Sequence, residues 1–252
     1  MWLGPFTVGI GAAGRIEPGL LWLTFANLGI FLALQPLTVG IKVLSGRKNR
    51  TNLAPALTWL SFYSLLGLIG AAGLVQLGHG GVLWLGLAAL PVLAWQLRLI
   101  AYKEERGHMA AEIGGALMLA LAAPATYWVG GGDLRTGALL WLMCGLQAAA
   151  AIVSVYLRLE YRRMAQVPTW GERIQLSFRS NLFHAINFGA ALVVAAAGWI
   201  PWLAVAAFAV MLSETVHGGL LEPPVGARPA AIGIRQTVMT VVFCTLLIAA
   251  YS

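Results

Sequence analysis

Eight predominantly apolar stretches follow one another along a chain of 252 residues, at 19–44, 54–77, 82–101, 110–130, 137–157, 180–199, 200–217 and 231–250. A helix needs about 20 such residues to cross a hydrocarbon core roughly 30 Å thick, and each stretch is close to that length. Lipid offers the backbone no hydrogen-bond partners, so only helices or closed barrels can span it. None of the stretches shows the apolar–polar alternation of a barrel strand. The chain therefore reads as all-α, a polytopic transmembrane helical bundle forming a single integral membrane domain over 1–252. Composition excludes the alternatives. With 60% hydrophobic and 10% charged residues, against about 25% charged in a soluble domain, neither a soluble enzyme nor a disordered chain fits.

A further apolar stretch at 2–13 reaches only about 20 Å at 1.5 Å per residue. Counted as a span, it makes about nine, with the N-terminus inside and the C-terminus outside. Its shortness is expected to mean a re-entrant segment or a chain that starts upstream of Met1. It lacks the basic n-region and early cleavage site of a secretory signal.

The formal charge of +7 could suggest a nucleic-acid partner, but the positions of the charges argue for topology. Fourteen of the 16 Lys and Arg fall on one set of alternate connections: Lys42, Arg47, Lys48, Arg50; Arg98, Lys103, Arg106; Arg158, Arg162, Arg163, Arg173, Arg179; Arg228, Arg235. Only Arg15 and Arg135 fall on the other set. By the positive-inside rule the basic loops are cytoplasmic, in the cell membrane, and no nucleic-acid partner is expected. Within the longest basic connection, Pro168 breaks the preceding helix and Thr169-Trp170-Gly171-Glu172 has the form of a capping box. The next helix should thus start about three turns before its apolar part, with Trp170 at the interface.

Ionisable groups within spans are costly and usually face a cavity or a partner. Arg173, Ser177, Ser180, Asn181, His184 and Asn187 recur every three or four residues and share one helix face, with Arg179 off that face but near it. Asn27, Gln35, Thr38 and Lys42 share an arc. So do Glu105, His108 and Glu112; Arg98 and Tyr102; and Glu214 and His217; Arg235 lies at the start of the last span. Nearly all lie in the cytoplasmic half, while the outer half is almost wholly apolar. The expectation is a basic, cytoplasm-facing cavity for an anionic head group, its candidate residues Gln35, Lys42, Arg98, Glu112, Arg179, Asn181, His184, Glu214 and Arg235. Taken singly, Lys42, Arg98 and Arg235 read first as snorkelling to the interface, whereas the shorter Glu112, Glu214 and His184 reach water less easily. Glu214 with Arg235, or Glu112 with Arg98, are plausible pairs that the sequence does not assign.

Other signals carry less. Gly9-Ile10-Gly11-Ala12-Ala13-Gly14 matches a dinucleotide fingerprint by letter, but no strand precedes it, and close helix packing explains it better. Gly67, Gly70, Gly73, Gly114 and Gly115 read the same way. Asn49-Arg50-Thr51 is a sequon on the cytoplasmic side, where glycosylation is not expected. His79 reads as a solvated turn residue, and Cys144 and Cys244 as packing residues. Nine Asp and Glu and no metal-ligand or haem spacing mean that no metal and no cofactor are expected.

Three stretches resemble a known family. Met1-Trp2-Leu3-Gly4-Pro5-Phe6-Thr7-Val8-Gly9 resembles the first-helix segment of bacterial YwiC-like membrane proteins. Arg98-Leu99-Ile100-Ala101-Tyr102-Lys103-Glu104-Glu105-Arg106, with Glu112, resembles their central basic loop and the helix after it. Arg158 to Arg163 resembles their second long loop. A His-Gly-x-Trp motif precedes the first segment in the family, and this sequence begins after it. The resemblance implies a bacterial inner-membrane protein but no reaction. More distantly, the layout is similar to that of UbiA-type prenyltransferases, which hold Mg²⁺ and an isoprenyl diphosphate through Asp-rich loops. The corresponding loops here, 45–52 and 158–179, contain no Asp; the one in the chain, Asp133, is expected outside.

The favoured reading is a non-enzymatic membrane protein that holds an anionic lipid, an isoprenoid-type amphiphile or a membrane-protein partner. The alternatives are a UbiA-like prenyl or lipid transferase lacking the metal motifs and, third, a small-molecule transporter.

Overall fold

The computed structural model describes residues 2–104 and 107–252, and among these every regular element is helical. In chain order they are α1 (Leu3–Ala13), α2 (Gly19–Leu44), α3 (Leu53–Gln76), α4 (Leu83–Ala101), α5 (Met109–Ala120), α6 (Ala122–Val129), α7 (Leu134–Arg163), α8 (Trp170–Ala196), α9 (Trp202–Val216) and α10 (Pro229–Tyr251). A π-helical turn, His217–Leu221, extends α9. Seven segments are long and apolar enough to cross a membrane: α2, α3, α4, α5 with α6, α7, α9 with its π turn, and α10. With α1 and α8 the described residues give nine helical segments, the number expected from the apolar runs, seven of them long and apolar enough to span.

The break between α5 and α6 has a chemical cause. Pro124 has no N–H to give the carbonyl of Ala120, and the Leu121 N–H turns back to Met118. The carbonyl of Leu117 is taken instead by the Trp141 indole N–H at 3.0 Å. α1 is a half-length pass of 11 residues laid beside α6. The Thr126 hydroxyl lies 3.2 Å from the Phe6 carbonyl, and a Cβ on Gly9 would fall 2.2 Å from the Ala123 carbonyl oxygen. The glycine motif is thus a helix-packing surface.

Two apolar clusters hold the bundle. Val8, Leu140, Met143, Ala191, Phe208, Phe243 and Leu247 join α1, α7, α8, α9 and α10. Phe6, Leu20, Leu23, Leu74, Ala125 and Val129 join α1, α2, α3 and α6. Helices α1 and α6 contribute to both and form the seam. Across α2 and α3 the backbones nearly touch: a Cβ on Gly70 would sit 2.3 Å from the Ala26 nitrogen, and one on Gly29 would sit 2.4 Å from the Gly67 nitrogen. In lipid, where apolar side chains gain nothing by hiding from one another, such close approach is what associates helices. His79 is half-buried against Gly19, a correction to its reading as a solvated turn residue.

The basic connections gather at one end. Arg47 donates to the Ile100 carbonyl, tying the α2–α3 connection to the end of α4. Tyr161, at the end of α7, donates to the Gly219 carbonyl at 2.8 Å, and Arg162 Nε donates to the Ala227 carbonyl at 3.1 Å. At the opposite end Asp133 caps α7, accepting the Thr136 N–H at 2.9 Å. That bond holds its carboxyl below the usual aspartate range.

Replacing Gly70 by Val should lower the thermal unfolding midpoint in detergent, because the added atoms meet backbone; overpacking of this kind costs about 1–3 kcal/mol. Gly86→Ala is the control, since a Cβ there meets nothing within 4 Å. Equal midpoints for the two variants would contradict this packing.

Candidate functional site

Helix α8 is inverted relative to a soluble helix. Its buried positions include Ser177, Ser180, His184 and Asn187, whereas Phe178, Leu182, Ile186 and Val193 are exposed. Polar groups buried in a low-dielectric interior must be bonded, and these are. Ser177 Oγ donates to the Arg173 carbonyl at 2.7 Å and receives the Asn181 amide at 3.1 Å. The Ser180 and Ser154 hydroxyls are 2.9 Å apart, and Thr215 lies 3.4 Å from Ser154 and 3.3 Å from His184 Nε2. The other ring nitrogen of His184 faces the Ser180 carbonyl at 3.0 Å. Asn187 Nδ2 donates to the Leu146 carbonyl at 3.1 Å.

The start of α8 is fixed in two ways. The expected capping box is present: the Thr169 N–H donates to Glu172 Oε2 at 2.7 Å and the Thr169 hydroxyl does so at 2.8 Å. These bonds hold the Glu172 carboxyl below its usual range. Arg173 then donates from Nε to the Pro168 carbonyl (2.9 Å) and from Nη1 to the Leu220 carbonyl (3.0 Å), clamping α8 to the π turn.

Beside this cluster lies a buried ionic trio. Arg158, on α7 and 4% exposed, donates from Nη2 to both Glu214 oxygens at 2.5 and 2.6 Å, and from Nη1 to Gln236 Oε1 at 3.0 Å. Arg235, on α10, donates from Nε to Glu214 Oε1 at 2.6 Å. Three helices are therefore tied through one carboxylate. Gly218 in the π turn lets both guanidiniums approach: a Cβ there would be 3.2 Å from Arg235 Nη2 and 3.7 Å from Arg158 Nη2.

A separate cleft of about 550 Å³ opens between α5, α7 and α8. Met109, Val153, Leu157 and Leu176 line its apolar part, and Tyr156, Glu160, Arg163 and Arg179 its polar part. Tyr156 donates to Glu112 Oε1 at 2.9 Å. Neither Arg163 nor Arg179 has a hydrogen-bond or ion-pair partner among the described residues. Asn181 lies instead on a shallow, mostly apolar groove of about 290 Å³ between α8 and α9.

The candidate residues fall in distinct places. Glu214 and Arg235 meet, and His184 is linked to them through Thr215, the neighbour of Glu214. The Glu112–Arg98 pair does not form: Glu112 takes Tyr156, and the Arg98 guanidinium lies 5.9 Å from the Tyr102 ring centre. Gln35 and Lys42 are on α2 and Arg98 on α4, in the other half of the bundle. Glu105, expected on the face of His108 and Glu112, lies outside the described residues. The residue that sequence reasoning missed is Arg158, taken there as one loop charge among many. Its signal was the spacing of Gln147, Ser154, Arg158 and Tyr161, which places all four on one face of α7. Among the described residues no three His, Cys, Asp or Glu side chains gather as a metal site.

Helices that turn an arginine-bearing polar face inward and an apolar face outward define a multi-pass membrane protein, set in lipid. The chain belongs to the YwiC-like family: the profile described as YwiC-like protein matches residues 1–127, half of its length. The match ends within α6, so Arg158, Glu214 and Arg235 lie beyond it. No curated protein and no solved structure matches the chain.

Replacing Glu214 by Gln should destabilise the bundle strongly, because it leaves the buried Arg158 without its counter-charge; breaking such a pair costs about 3–5 kcal/mol. Arg158→Met combined with Glu214→Leu should recover part of that loss, since Arg235 is 35% exposed and can turn to water. An unfolding midpoint unchanged by Glu214→Gln would show that the trio contributes nothing net.

Proposed function

We propose that this protein works in a bacterial inner membrane, with its basic end cytoplasmic, and holds an anionic amphiphile in the cleft between α5, α7 and α8. The observation that carries this reading is the pair of guanidiniums, Arg163 and Arg179, that edge the cleft with no acceptor of their own. An arginine presents a rigid fork to phosphate or carboxylate. Below the fork, Met109, Val153, Leu157 and Leu176 offer an acyl or isoprenyl chain an apolar wall. Among the residues lining the cleft, Glu160 offsets one of the two charges. Glu112 fixes Tyr156, so the hydroxyl stays at the cleft edge. His184 and Asn181 support the site indirectly by holding the inner face of α8.

Native mass spectrometry of the gently solubilised full chain tests this directly. The parent should retain a defined anionic adduct, and Arg163→Gln with Arg179→Gln should cut its occupancy about tenfold or more, as expected for two lost charge-assisted bonds, with helical content unchanged. The same adducts on both proteins would overturn the reading. So would a parent carrying only bulk zwitterionic lipid or another protein, which would favour a scaffold or subunit role.

A further inference from the structure

The buried trio is not neutral. A guanidinium does not lose its proton in a protein, so Arg158 and Arg235 bring two positive charges to the single negative charge of Glu214. Gln236 contributes only an uncharged amide oxygen. That surplus positive charge, buried at Arg158 and partly open at Arg235, would be stabilised by an answering anion.

Arg235 shows where an answering charge fits. Its Nε donates to Glu214 Oε1 at 2.6 Å, which anchors that end of the guanidinium. Nη1 and Nη2 have no acceptor among the described residues, and the side chain is 35% exposed. The arginine is thus held at Nε, with its terminal nitrogens unbonded and the side chain partly exposed. Gly218, buried in the π turn, lets the guanidinium come this close, since a Cβ there would stand 3.2 Å from Nη2. Behind it stands Arg158, adding a second positive charge. Arg235 lies six residues into α10, about 9 Å along the helix axis, a depth that the head-group region of a bilayer can meet.

We propose that Arg235, backed by Arg158 and flanked by Gly218, is a second anion site, for a phosphoryl oxyanion. The paired N–H groups of a guanidinium match the spacing of two phosphate oxygens. A phosphodiester, as in a lipid head group, brings the one negative charge that neutralises the trio; free phosphate offers the same oxygens. This site is built on α9, the π turn and α10, and does not depend on the cleft between α5, α7 and α8.

The test is a binding titration of the full chain in a neutral detergent, with short-chain phosphatidylglycerol and inorganic phosphate as probes and short-chain phosphatidylcholine as the zwitterionic control. The parent, Arg235→Gln, Arg235→Lys, Gly218→Ala and the Arg163→Gln/Arg179→Gln pair are compared. Arg235→Gln and Gly218→Ala should each remove one binding component, seen as a tenfold or greater loss of affinity. Arg235→Lys, which keeps the charge and so the fold but not the fork, should lose most of it too. The Arg163/Arg179 pair should keep that component. Tighter binding of phosphatidylglycerol than of phosphate would identify a lipid head group as the source, and the reverse order a soluble phosphate. Unchanged binding in both Arg235 variants would overturn the proposal. Loss confined to the Arg163/Arg179 pair would overturn it while leaving the cleft reading intact.

Discussion

Hydrocarbon supplies no hydrogen-bond donor or acceptor, so a polar group carried into the membrane is costly unless it finds a partner within the chain. The second half of this bundle is arranged around that constraint. Helix α8 turns Ser177, Ser180, His184 and Asn187 inward and leaves Phe178, Ile186 and Val193 to the lipid. Helix α7 answers with Ser154, Arg158 and Tyr161, and α9 with Glu214 and Thr215. The bonds among them are directional, so they fix rotation and depth as well as proximity. Apolar packing against lipid tails of equal character could not do this.

The first half solves the same problem differently. Helices α2 and α3 carry few polar groups and associate by backbone contact, through Gly29 against Gly67 and Gly70 against Ala26. Between the halves, α1 and α6 together occupy the end of the bundle away from the basic loops. The polar, directional half is where both proposed anion sites lie.

Much of this was legible in the sequence. The apolar run at 19–44 became α2 with the same bounds, and the runs at 54–77 and 82–101 became α3 and α4 within a residue. The Thr169–Glu172 cap and the polar stripe of α8 were legible because capping chemistry and a period of 3.6 residues are local properties. The Glu214–Arg235 pair was legible as a candidate because a short carboxylate inside a span has few ways to be satisfied. Arg158 was not. At the end of a run of Arg and Glu it resembles an interfacial charge, and only the register of α7 against α9 and α10 carries it inward. The failure of Glu112 to reach Arg98 has the same origin, since periodicity tells which residues share a face but not which helix that face meets. The cleft edged by Arg163 and Arg179 depends on the splay of α5 from α7 and α8, which no single helix encodes.

The central claim is the inversion of α8, and spin labels on α8 test it most directly. Labels placed singly at Phe178, Ile186 and Val193 should collide freely with oxygen dissolved in the bilayer, while labels at Ser180 and Asn187 should be shielded, giving oxygen accessibility a helical period. High oxygen accessibility at Ser180 and Asn187, or accessibility with no period along the helix, would contradict the account.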